Sequence, residues 1–129
     1  MNKTITKRRH KYGARKTVSH GITFDSAAEA NYYPFAFAYA TEHGYELRLQ
    51  EAFELLPKHR RNGKAVRAVK YVPDFSFWEG GTLVKVVDVK GVQTSDFKIK
   101  AKWFCYRYDT DLTIAKYDYK KGIFEETVF

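Results

Sequence analysis

A chain of 129 residues can close one hydrophobic core and leaves little room for a second, so a single domain is expected. An apolar fraction of 44% with 17% aromatic residues excludes disorder throughout. The one cysteine, Cys105, excludes an intrachain disulfide framework and a cysteine-based zinc site, and no stretch reads as a membrane span or signal peptide, which fits a reducing cytoplasm. The formal charge of +8 lies in two acid-free blocks. Residues 1–20 carry Lys3, Lys7, Arg8, Arg9, Lys11, Arg15 and Lys16, and residues 58–70 carry Lys58, Arg60, Arg61, Lys64, Arg67 and Lys70. Such blocks draw a polyanion by counterion release, and nucleic acid is the commonest one in a cell. A solvated basic surface is the plain alternative. Membrane adsorption is disfavoured because neither block has a matching apolar face.

In chain order, residues 1–21 read as a basic arm and residues 22–129 as one domain, opening with a short strand near Ile22–Phe24. A helix starts at Ser26, which can cap the first turn while Glu29 reaches back three residues later. It should run to about His43-Gly44, with a kink or break at Pro34. From Tyr45 to Leu56 apolar and polar residues mostly alternate, which predicts a strand, bulged near Gln50 to Ala52. Asn62-Gly63 signals a turn. A second strand over Val66 to Trp78, a turn at Glu79-Gly80-Gly81-Thr82 and a third strand over Leu83 to Val89 make a hairpin. Phe97, Ala101, Phe104 and Tyr108 then recur at helical spacing and predict an amphipathic helix over Ser95 to Tyr108. A fourth strand spans Leu112 to Tyr117, and Ile123 to Phe129 offers an edge strand. The expected fold is α/β, a mixed sheet flanked by two helices.

The hairpin carries the chemistry. With its turn centred near Gly81, Asp74 stands opposite Asp88 on one face; a turn centred half a residue away offsets the pair. Lys90 shares the face of Asp88, and the backbone carbonyl of Val89 lies between them. Adjacent carboxylates repel unless a proton or cation intervenes, and an all-oxygen ligand set suits Mg²⁺, with Mn²⁺ as a substitute. Such a site is equipped for phosphodiester hydrolysis, with Lys90 placing water or offsetting charge on the phosphate. Solvent-facing acids paired with Lys90 or Lys70 are the plain reading of the same residues. Gln50 is a candidate to reach the site, or equally an edge or bulge residue. Lys98, Lys100 and Lys102 are candidates for phosphate contacts on a helix whose default is a solvated basic face. His10, His20, His43 and His59 have no ligand spacing, and Cys105 reads as a small buried hydrophobe.

Pro73-Asp74 followed by Asp88-Val89-Lys90 resembles the PD-(D/E)xK signature of the restriction-endonuclease-like nuclease superfamily. Phe24-Asp25-Ser26-Ala27-Ala28-Glu29-Ala30, Lys70-Tyr71-Val72-Pro73-Asp74-Phe75 and Val86-Val87-Asp88-Val89-Lys90-Gly91, with Asp96-Phe97-Lys98-Ile99-Lys100, are similar to stretches of small phage-encoded nucleases and Holliday-junction-resolvase-like proteins. The resemblance spans about residues 12–117. It implies an αβββαβ core, metal ligation by Asp74 and Asp88, assistance to the attacking water by Lys90, a metal site completed by Glu29, and a place for Lys98 near the motif.

The expected function is therefore a Mg²⁺-dependent endodeoxyribonuclease acting on double-stranded or branched DNA in phage recombination or replication, in the host cytoplasm. Lys7, Arg8, Arg9, Lys11, Arg15, Lys16, Arg60, Arg61, Lys98 and Lys100 are the expected DNA contacts. Symmetric cutting of a junction needs two active sites, so a homodimer follows from the resolvase reading. Two other classes fit the charge: a non-catalytic DNA-binding accessory protein of the same fold, and an RNA binder that stacks bases on Tyr and Phe.

Overall fold

The computed structural model describes residues 16–129, so Lys7, Arg8, Arg9, Lys11 and Arg15 lie outside the described residues. Two short strands, β1 (Thr17–Ser19) and β2 (Ile22–Phe24), pair antiparallel through a tight turn at His20-Gly21, both with positive φ. The end of the expected arm is thus a strand, because Val18 pairs with Thr23. Helix α1 (Ala27–His43) follows, capped by the Ser26 side chain on the Glu29 amide and closed by left-handed Gly44. It is unbroken through Pro34. Of the expected kink or break, no break occurs: Pro34 is exposed, while Ala30, Tyr32, Ala36 and Ala40 hold the helix to the core.

The predicted first strand is two strands, β3 (Glu46–Leu49) and β4 (Phe53–Leu56), interrupted at Gln50, which takes a left-handed φ of 56°. After β5 (His59–Arg61) and β6 (Lys64–Val66), the predicted second strand is likewise cut into β7 (Val69–Tyr71) and β8 (Phe75–Glu79) around Val72-Pro73-Asp74. The two interruptions are level. Leu49 pairs with Phe75 and Phe53 with Tyr71, so Gln50 stands opposite Asp74, and the Gln50 amide donates to the Asp74 carbonyl at 3.1 Å. Both strands of one long hairpin bend at that level, leaving the main sheet as β3–β8 and continuing as a separate ribbon β4–β7.

Strand β9 (Thr82–Val89) returns beside β8, helix α2 (Ser95–Tyr108) crosses over, β10 (Thr113–Asp118) lies parallel to β9, and β11 (Ile123–Val128) closes the edge. The five-stranded mixed sheet has the order β11-β10-β9-β8-β3. One face packs on α1 through Tyr32, Ala36, Phe75, Phe77 and Val87. The other packs on α2 through Val86, Phe97, Ala101, Phe104 and Ile114, together with Phe53 and Tyr71 of the ribbon. Alternation along β9 sends Val87 and Val89 to the α1 side, and therefore Val86 and Asp88 to the α2 side. No helix among the described residues is long and apolar enough to cross a membrane.

Candidate active site

The β8–β9 turn is centred between Gly80 and Gly81, whose φ values of 56° and 82° fit a two-residue turn of the primed type. Glu79 pairs with Thr82 and Trp78 with Leu83. Carried straight down the hairpin, that register would set Asp74 against Val87. A bulge at Val84 intervenes: Phe77 pairs with Lys85 and Phe75 with Val87. The one-residue shift brings Asp74 level with Asp88, so the sequence-predicted pair forms by a turn centred elsewhere than expected and a bulge that corrects it.

Asp74 and Asp88 are both buried, Asp88 at 1% exposure. Each carboxylate has one oxygen fixed by the fold. Oδ2 of Asp74 accepts from the Val89 amide at 2.8 Å, and Oδ2 of Asp88 accepts a short hydrogen bond from the buried Tyr71 hydroxyl. Burial first, then the charge of Asp88, pushes the Tyr71 phenol upward, so it remains a protonated donor. The second oxygens are differently placed. Oδ1 of Asp74 accepts from the Gln50 side-chain amide at 3.1 Å, and the same nitrogen reaches Oε1 of Glu29 at 3.2 Å. Oδ1 of Asp88 has no hydrogen-bond partner among the described residues and lies 3.8 Å from the Lys90 ammonium, which also sits over the Phe97 ring.

Pro73 has a role that follows from the ladder. On a strand, the N–H and C=O of one residue project to the same edge, so the Val89 carbonyl points toward β8 as its amide does. The residue level with Val89 is Pro73, which has no N–H to offer. The Val89 carbonyl thus receives no backbone hydrogen bond from the position level with it.

Glu29 lies in the cap and next to the site. Its amide donates to the Ser26 hydroxyl at 3.1 Å, that hydroxyl reaches its carboxylate at 3.4 Å in place of the backbone bond of a capping box, and its Oε1 accepts from Gln50. Glu29→Gln should leave the cap intact, since Ser26 caps a backbone amide, and lower Mg²⁺ affinity; Ser26→Ala should do the reverse, costing about 1 kcal/mol of stability. Thermal melts with a Mg²⁺ titration separate the two, and a Glu29→Gln protein with unchanged Mg²⁺ affinity would confine Glu29 to capping.

The donor set is compatible with a hard divalent cation because the acids are crowded and, among the described residues, no N–H or O–H donor other than a proton on Asp74 is placed to satisfy Oδ1 of Asp88, so a proton or a cation must relieve the repulsion. Burial, then the Asp88 carboxylate, then Glu29 and a hydrogen bond shared with Asp88 push the Asp74 carboxyl well above the usual carboxylate range, with Lys90 opposing. Among the described residues, no three His, Cys, Asp or Glu side chains are already drawn around one point as a metal cage; the Gln50 amide stands between Glu29 and Asp74 instead. Because Asp74 holds its proton to higher pH folded than unfolded, the native state binds more protons. Its contribution to stability is full below the unfolded value near ~4 and is lost as pH rises through the raised folded value. A cation bound by the ionised acids should offset that loss, so Mg²⁺ should raise the melting temperature more at pH 8 than at pH 5. A rise independent of pH, or equal in Asp74→Asn, would count against ligation by Asp74.

A cleft of about 470 Å³ adjoins the site, lined by Lys90, Gly91, Gln93, Lys98 and Lys116 among others. Lys98 therefore lies beside the motif. Lys100, two residues on and so roughly 200° around the helix, does not line it. Lys16 is ion-paired to Asp25 at 3.6 Å, and Arg60 and Arg61 lie on β5, away from the acids. Tyr71 is the residue the sequence did not single out.

The fold and site define an α/β protein with a buried carboxylate pair and a lysine at the end of a mixed sheet. The chain belongs to the family described as "Protein of unknown function (DUF1064)", whose model matches residues 9–121. Neither the curated proteins nor the solved structures contain a match to it.

Proposed function

We propose that the chain is a metal-dependent endodeoxyribonuclease with a restriction-endonuclease-like core. The observation that carries the reading is the buried pair of Asp74 and Asp88 carboxylates beside Lys90, where Oδ1 of Asp88 has no donor among the described residues unless Asp74 keeps its proton. The order α1, β3, β8, β9, α2, β10 supports the core that the PD-(D/E)xK resemblance implies. Asp74, Asp88 and the Val89 carbonyl would hold Mg²⁺ or Mn²⁺, with Glu29 joining as the Gln50 amide turns aside. When bound, the ion supplies charge stabilisation at the scissile phosphate and a water of lowered pKa.

The chain's own groups do the rest. Tyr71 and the Val89 amide hold the outer carboxylate oxygens, which leaves the inner ones facing the reaction. The Lys90 side chain, one-third exposed, orients the attacking water and offsets charge building on the phosphate oxygens. Lys98 and the cleft beside it take the neighbouring phosphates. The cationic surface reads backbone and shape, which favours branched or structured DNA of the kind handled in phage recombination or replication. Paired cuts across a junction would require a homodimer.

One observation favours a second reading. The Gln50 amide already bridges Glu29 and Asp74, as it would in a DNA-binding accessory protein that keeps the fold without cutting. Incubation of the protein with supercoiled, linear and four-way-junction DNA in Mg²⁺, Mn²⁺ or EDTA decides between them. Metal-dependent nicking, strongest on the junction, is the expected result; binding without cleavage in any metal would leave the accessory reading.

A further inference from the structure

The ribbon that leaves the sheet at Gln50 and Asp74 does not end at β4 and β7. Leu56 pairs with Val69, and beyond a short interruption His59 pairs with Val66, Arg60 with Ala65 and Arg61 with Lys64. The pairing count is the same on both sides of the interruption, so β4–β5 and β6–β7 are the two strands of one ribbon. Asn62 and Gly63, with φ of 51° and 74°, close its tip in a tight primed turn. Residues 57–65 are all exposed, and β5 and β6 pack substantially only on each other. From Pro57 to Val72 there is no acid, and Lys58, Arg60, Arg61, Lys64, Arg67 and Lys70 fall within this stretch. None of the six is ion-paired among the described residues. Arg61 and Lys64 face each other directly, a like-charge pair that weakens a free ribbon and becomes favourable only against an anion.

The base of the same ribbon is fixed in the candidate active site. Phe53 pairs with Tyr71, and Tyr71 donates to Asp88.

We infer that the ribbon inserts into the major groove of B-form duplex DNA and sets the distance between the gripped phosphates and the cut. A two-stranded ribbon matches a major groove about 12 Å wide. From Tyr71 to Lys64 the strand spans at most roughly 23 Å at ~3.3 Å per residue, which corresponds to about six or seven base pairs at ~3.4 Å each. The ribbon thus holds the duplex on one side of the cut, about two-thirds of a helical turn away. The deep, narrow major groove of A-form RNA cannot admit it. Only the position of the cut rests on the nuclease reading.

The test uses the full chain, a labelled DNA duplex of about 30 base pairs and an RNA duplex of the same length, a size set by the helical repeat. Fluorescence anisotropy is read in EDTA over a KCl series, so that no turnover is needed. Arg61→Ala/Lys64→Ala, at an exposed tip, should reduce the slope of log affinity against log salt by about two, and Arg61→Lys/Lys64→Arg should retain it. DNA should outcompete RNA, and hydroxyl-radical protection should appear about six or seven base pairs from the cut. An unchanged slope in the alanine variant, or RNA bound as tightly as DNA, would overturn the inference. A protein that cuts nothing yet loses the slope would overturn the nuclease reading alone; one that cuts normally with the slope unchanged would overturn the ribbon alone.

Discussion

Asp88→Asn is expected to lower DNA cleavage by on the order of 10³-fold or more while DNA is bound at least as tightly as by the native chain. The carboxamide keeps an acceptor for the Tyr71 hydroxyl, so the buried partner is not orphaned. What disappears is the negative charge at Oδ1, the buried oxygen for which the described residues offer no donor but a proton on Asp74. Removing an anion from the floor of a polyanion-binding site should help binding, which distinguishes a catalytic loss from a misfolded protein. Asp88→Ala is the less informative change, because an unpaired buried tyrosine hydroxyl costs about 1–3 kcal/mol. Rates on junction DNA and anisotropy on the same substrate check both halves. A variant that still cuts would remove Asp88 from the chemistry.

The second large effect falls on Lys90. Lys90→Ala should reduce cleavage by roughly 10²–10³-fold, the usual cost of removing one donor to developing negative charge. The same change should leave Mg²⁺ affinity equal or higher, since an ammonium 3.8 Å from Asp88 competes with the metal. Opposite signs for turnover and metal affinity are what a catalytic cation requires. A purely structural salt bridge would instead lower stability and leave metal affinity and turnover per folded molecule unaltered. Lys90→Arg should restore little, because the planar guanidinium does not reproduce a compact ammonium over the Phe97 ring.

The elements with strong local signals were legible. Helix α2 runs from Ser95 to Tyr108 as its periodicity implied, because Phe97, Ala101 and Phe104 form one buried stripe. The Ser26 cap on the Glu29 amide and the edge strand near the C-terminus are equally readable. Pro34 does not break the helix, since its effect depends on which side of the helix it occupies, and an alternating pattern of Ala and aromatic residues does not reveal that side.

The strand breaks are legible only in part. The alternation from Tyr45 to Leu56 falters near Gln50 to Ala52, where the first strand is indeed interrupted, but nothing in the sequence marks the matching break at Val72-Pro73-Asp74, which makes sense only once Gln50 is opposite it. Tyr71 belongs to the same failure. As an aromatic residue in an apolar run it reads as core, and only the bend at Val72-Pro73-Asp74 turns its hydroxyl onto Asp88. The Asp74 and Asp88 pairing was anticipated through a turn centred near Gly81, whereas the structure reaches it through a turn between Gly80 and Gly81 and a bulge at Val84. Nothing in Leu83-Val84-Lys85 marks a bulge, since a valine suits a regular strand equally well. Lys98 and Lys100 were grouped by charge, and the helix separates them by placing only Lys98 on the cleft.

The carboxylates of Asp74 and Asp88 together with the Val89 carbonyl are proposed to form a divalent-cation site, and crystals soaked in Mn²⁺ and measured at an anomalous wavelength would reveal it. The expected result is a peak between Asp74 and Asp88 within about 2.0–2.4 Å of their inner oxygens, with the Gln50 amide rotated off Asp74 and the peak lost in Asp88→Asn. No peak there, or Mn²⁺ bound only at surface carboxylates while Gln50 still bridges Glu29 and Asp74, would contradict the account.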